Sequence, residues 1–69
     1  MSYTSLYYLI LGYMVETYSD TYALGFLQSQ AQGVAYWVES GERPRPITCH
    51  DIAVDAHLKF QDSDYNPNG

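Results

Sequence analysis

The chain has little means of covalent reinforcement. Its 69 residues include a single cysteine, Cys49, so no disulfide can close within it. A lone cysteine also suits a reducing compartment better than secretion. Basic residues are scarce: three Lys and Arg stand against eight Asp and Glu, a formal net charge of −5. A surface of that sign repels nucleic acid and anionic lipid at long range, so neither is expected as a direct ligand, and a basic protein is the favoured charged partner. Long hydrophobic runs are missing too. The most apolar stretch, Leu6 to Val15, is ten residues interrupted by Gly12 and by tyrosines, where a membrane-spanning helix takes ~20. No basic segment precedes it as a secretory leader would require. The expectation is a cytoplasmic protein with no membrane partner.

What the chain does have is aromatic and apolar mass. Hydrophobic residues make up 46% and aromatics 16%, too much for a disordered chain at this modest charge. Six of the eight tyrosines fall between Tyr3 and Tyr22. At this length folding buries only about 60% of the surface of the unfolded chain. The stability margin is therefore thin, and small scaffolds commonly widen it with disulfides, a metal or an oligomeric partner.

Periodicity predicts a mainly α fold, a small bundle of about three helices, as one compact domain over 1–61 followed by a flexible polar tail over 62–69. In the first helix, 5–18, Leu6, Leu9, Ile10, Tyr13 and Met14 recur at helical spacing. Tyr7, Leu11, Val15 and Tyr18 form a second apolar stripe beside them. The second helix, 20–39, begins after the polar break Ser19-Asp20, which can cap it, and carries Leu24, Leu27, Ala31, Val34 and Val38 as its main stripe. Tyr22, Phe26, Gly33 and Trp37 lie on another side. Gly25 and Gly33 are costly inside a helix, and a close helix crossing is the usual reason for tolerating them. Gly41 supplies a left-handed stop, and Glu42-Arg-Pro-Arg-Pro46 reads as an extended connector.

The segment from Ile47 to Gln61 supports two readings. Ile52, Val54, Ala56, Leu58 and Phe60 alternate as in a half-buried strand, which would pair 34–38 with 50–60 in a C-terminal hairpin and make the fold α+β. Cys49, Ile52, Ala53, Ala56 and Phe60 equally share a helical face, and Thr48-x-x-Asp51 matches a capping box directly after Pro46. A third helix over 49–61 is the preferred reading.

No catalytic, cofactor or metal constellation stands out. Cys49, His50, Asp51 and His57 are the chemically capable cluster, but on a helix His50 and His57 lie two turns, about 10 Å, apart, too far for one ion. Asp51 and Asp55 alone have helical metal-ligand spacing. Cys49 lacks an evident orienting group or oxyanion hole. A helix-turn-helix DNA reader would need a basic groove from Arg43, Arg45 and Lys59, and the acidic balance opposes it. No enzymatic activity, cofactor or metal is expected.

The aromatic faces carry the functional expectation. Tyrosine and tryptophan concentrate in protein interfaces, and the first two helices are apolar on nearly every side although each has only two neighbours to cover it. Some apolar surface should stay open for association. The expected partner-binding residues are Tyr7, Leu11, Tyr18, Tyr22, Phe26 and Trp37, with Glu16 and Asp20 steering a basic partner. The protein is expected to bind a protein, as an inhibitor, as an adaptor or as a homodimer. In size and acidity it is similar to phage-encoded inhibitors of host nucleic-acid-handling or defence complexes, a likeness of composition only.

Overall fold

A computed structural model describes residues 2–62, which form three helices: α1 (Tyr3–Tyr18), α2 (Leu24–Glu39) and α3 (Cys49–Asp62). Of the expected tail over 62–69, Asp62 is the last residue of α3, and 63–69 lie outside the described residues. No strand forms among those described, so the alternative hairpin of 34–38 with 50–60 is set aside.

Helix α1 starts two residues earlier than the spacing alone suggests. Ser2 is its N-cap, in extended backbone, and the Ser2 hydroxyl accepts from the amide of Ser5 at 3.3 Å. Leu6, Ile10 and Met14, one turn apart, are buried along the inner side. The helix ends where the Tyr18 carbonyl accepts from both Thr21 and Tyr22, a tight turn that reverses the chain.

That turn corrects the expected start of α2. Asp20 and Ser19 cap nothing there: Ser19 closes α1, and α2 begins four residues later, with Ala23 in extended backbone as its N-cap and no side-chain cap bond. With the Tyr18 carbonyl already holding the turn, 20–22 cannot also be the first turn of a helix. Leu24 begins the stripe, but at the helix end it is 56% exposed, while Leu27, Ala31, Val34 and Ala35 are buried.

The reversal makes α1 and α2 an antiparallel pair. Consistent with this, the Tyr3 hydroxyl reaches the Gln32 carbonyl at 3.5 Å. Helix α3 returns alongside both. The core lies between the three helices, with Leu6, Ile10, Met14, Leu27, Val34 and Ala56 at its centre. Of the two questioned glycines, Gly33 has only a modest packing reason: a Cβ there would meet Cε and Nζ of Lys59, the end of a flexible side chain that can move aside. Gly25 has none: a Cβ would meet nothing within 4 Å.

The link between α2 and α3 follows the reading from composition. Gly41 takes φ +86°, and its amide donates to Val38, while that of Arg43 donates to Trp37. This fold-back carries the Arg43 guanidinium to α3, where Nε donates to Asp55 Oδ1 at 2.9 Å. Asp55 is buried. Thr48 and Asp51 form the expected capping box. The Thr48 hydroxyl accepts from the Asp51 amide at 3.2 Å, and Asp51 Oδ2 accepts from the amides of Thr48 at 3.1 Å and Ile47 at 3.0 Å. The alternation over 52–60 is resolved as a helix: Ile52, Asp55 and Ala56 are buried, and Val54 and His57 face outward.

Removing a buried carboxylate leaves its partner cation unmatched, at a cost of 3–5 kcal/mol when both are buried. Because the Arg43 side chain is 35% exposed and can turn to water, Asp55→Ala should lose about 2 kcal/mol in urea unfolding; no loss would show the pair to be dispensable. The Ile47 and Thr48 amides hold the Asp51 carboxyl below its ordinary value of 3.8. A lowered value contributes stability that is complete above the ordinary carboxylate range and is lost as pH falls through the folded value. Asp51→Asn should therefore show a shallower loss of stability below about pH 4 than the parent chain, and an unchanged acid slope would contradict the capping role.

Candidate interaction surface

The aromatic and apolar side chains outside the innermost core form two groups, one folded inward and one facing out. The inward group gathers at the end of the bundle where α1 stops, α2 starts and α3 finishes. Tyr18 and Phe60 have ring centroids 4.7 Å apart, Tyr22 and Phe60 stack at 4.9 Å, and Tyr22 and Phe26 lie at 5.0 Å. Tyr13 meets the edge of Tyr18 at 6.4 Å. Offset and edge-on ring pairs of this kind add to simple area burial. Burial, and the neighbouring hydroxyls of Tyr13 and Tyr22, push the Tyr18 phenol above its ordinary value.

This arrangement places the residues expected to bind a partner. Tyr18, Tyr22 and Phe26 are brought together, half-buried, with Phe60 as a common neighbour from α3. Tyr7 and Leu11 are half-buried along the flank of α1. Trp37 stands apart on α2, also half-buried, with the Lys59 ammonium 5.1 Å from the centre of its ring. Glu16 and Asp20 are exposed, the first on α1 and the second in the turn. The six apolar members thus share their area with the core.

Periodicity did not single out the outward group, and it counted Leu9 with the inner stripe. On α1, Tyr8 is 63% exposed and Leu9 is 42% exposed, and both flank Gly12, which is exposed as well. The hydroxyl-bearing Ser5 and the carboxylate Glu16 bound this face at either end. The outward side of α2 differs, being built from Gln28, Ser29 and Gln32 with a single exposed ring, Tyr36. A wheel drawn for α1 alone places Tyr8 opposite Leu6, Ile10 and Met14 but Leu9 one turn from Leu6, beside that stripe, where periodicity grouped it. Its 42% exposure corrects that grouping, because a wheel does not say on which side the neighbours sit. That knowledge comes only from where α2 and α3 pack.

A third feature is a shallow, open hollow of about 300 Å³ beside the connector, bordered by Arg45, Ile47, His50 and Val54. Its carboxylates are engaged, Asp51 in the cap and Asp55 with Arg43. Cys49, His50 and His57 are all exposed, and no three His, Cys, Asp or Glu converge on a metal-sized site among the described residues. Of the cations a groove reader would need, Arg43 is paired with Asp55 and Lys59 lies over Trp37. No helix among the described residues is long and apolar enough to cross a membrane. The chain matches no protein-family model, no curated protein and no solved structure.

If the inward rings serve the core, Phe60→Ala should cost about 2–3 kcal/mol, below the 3–5 of a fully buried phenylalanine because the ring is only half-buried. Thermal unfolding measures this directly, and a change under about 0.5 kcal/mol, typical of a surface site, would mean that the cluster does not join the helices.

Proposed function

We propose that this chain is a protein-interaction module that acts by binding and not by catalysis, and that the outward face of α1 is its contact surface. One observation carries the reading. Helix α1 carries apolar side chains on both sides: Leu6, Ile10 and Met14 on the inner side are consumed by the core, while Tyr8 and Leu9 remain in water beside Gly12, among the polar Thr4, Ser5, Glu16 and Thr17. A helix that serves only its own domain pairs an apolar stripe with a charged or polar back. Here the back holds a tyrosine and a leucine, and exposed apolar area of this kind marks association sites. The accessible edges of Tyr7 and Leu11 widen the patch, and Glu16 and Asp20 lie close to it in sequence.

The finer reading, in which the module blocks a basic nucleic-acid-handling or defence complex, rests on charge. The chain carries −5, and an acidic surface speeds its encounter with a basic partner. An adaptor role would use the same face.

Immobilised parent chain and a Tyr8→Asp, Leu9→Asp variant, both with native helical circular dichroism, distinguish these possibilities in affinity capture from the source cell. A protein held by the parent and lost from the variant supports the α1 face. Equal retention by both, or none by either, sinks it. Loss of binding in the variant should be at least tenfold, the consequence of burying two new charges at the centre of an interface, worth about 1.4 kcal/mol or more.

A further inference from the structure

We propose that the occupant of the α1 face is a second copy of this chain, packed antiparallel so that α1 crosses its counterpart at Gly12. This rests on the interaction reading above and names the partner. Gly12 lies in the middle of a 16-residue helix, exposed, and a Cβ there would meet nothing within 4 Å. A glycine at such a place weakens the helix relative to alanine, and nothing within the chain uses the room; Gly25 is equally open but stands in the first turn of α2, whereas Gly12 is mid-helix. On an outward face, a missing Cβ allows another backbone to come close.

Charge selects the occupant. Among the residues from Tyr3 to Tyr18, Glu16 is the sole Asp, Glu, Lys or Arg. A basic partner would find one carboxylate to hold on this face. A copy of a chain with net charge −5 is repelled over the rest of the surface, and here it meets a nearly neutral one. The outward side of α2 has as few charges and exposes Leu24 (56%) and Tyr36 (63%), but these stand at opposite ends of the helix with Gln28, Ser29 and Gln32 between them, so they make no continuous patch as Tyr8 and Leu9 do.

Charge also sets the direction. A two-fold axis through Gly12 brings each residue opposite the one equally far beyond the glycine on the other copy. Tyr8 and Glu16 are each four residues, about 6 Å, from Gly12. In the antiparallel pairing the Tyr8 hydroxyl of one protomer therefore donates to the Glu16 carboxylate of its partner, and symmetry repeats the bond. In a parallel pairing the two Glu16 carboxylates would oppose each other. The face is about 24 Å long and 10 Å wide, roughly 240 Å² and under a third of the ~800 Å² that a partner contributes to a standard stable interface, so the dimer is weak and populated only toward high concentration.

Light scattering of the full chain from about 10 μM to about 1 mM is the first measurement. The mass should climb from 7.9 kDa toward twice that value. Gly12→Leu should stay monomeric while melting no lower than the parent chain, because the space it fills is open in the monomer and closed in the dimer. Tyr8→Glu should also be monomeric. Adding Glu16→Lys to it should restore the dimer, since the new opposite charges meet across the antiparallel axis, eight residues apart on any one helix. A parent chain of monomer mass throughout overturns the proposal, as does a dimer unmoved by Gly12→Leu and Tyr8→Glu. A monomeric parent that still captures a foreign protein through Tyr8 and Leu9 retires the second copy and leaves the interaction reading in place; a monomer that captures nothing retires both.

Discussion

The bond between Arg43 and Asp55 is the constraint on which the arrangement of the three helices depends. A carboxylate can be buried in so small a core only with a cation and a hydrogen bond in place, and the cation comes from outside the helices. It reaches the site because Gly41 turns the chain left-handed and the Arg43 amide folds back onto Trp37. The prolines that follow keep the connector extended until Thr48 and Asp51 start α3. The register of α3 against α2 is thereby fixed by a polar contact at one end. At the other end it is fixed by the rings of Tyr18, Tyr22, Phe26 and Phe60.

Between these two ends the core is small and mostly aliphatic, with Ala31, Ala35 and Ala56 allowing the helices to sit close. The side chains that might have enlarged it are instead divided. Some rings lean half into the core, and Tyr8 and Leu9 turn away from it. A chain of this length has little stability to spare, so apolar area left in water is an expense that a binding surface can explain. Covering that area with another chain would also add the stability that a single cysteine denies it.

Much of the fold was legible in the residues, and the failures have physical causes. Thr48 and Asp51 announced the start of α3 correctly because a capping box satisfies amides that only a helix leaves open. The alternation from Ile52 to Phe60 was the weaker signal, since an amphipathic helix with a buried acid at Asp55 mimics it. Asp20 misled in the other direction: a good capping residue sat in a turn whose carbonyl was already committed. The choice among tyrosines was the hardest. Tyr7, Tyr18 and Tyr8 are equally apolar along the chain, and only the docking of α2 and α3 decides that the first two are half-covered and the third is not.

The extended Arg-Pro-Arg-Pro connector has a consequence for how the protein meets proteases. Trypsin cuts after lysine and arginine but not before proline, and two of the three basic residues, Arg43 and Arg45, are each followed by one. The single bond left to it, Lys59–Phe60, lies within α3, with the lysine over Trp37 and the phenylalanine among the rings. Cleavage there requires that end of the helix to open, so the rate of tryptic nicking reports on one local opening with no competing site to obscure it.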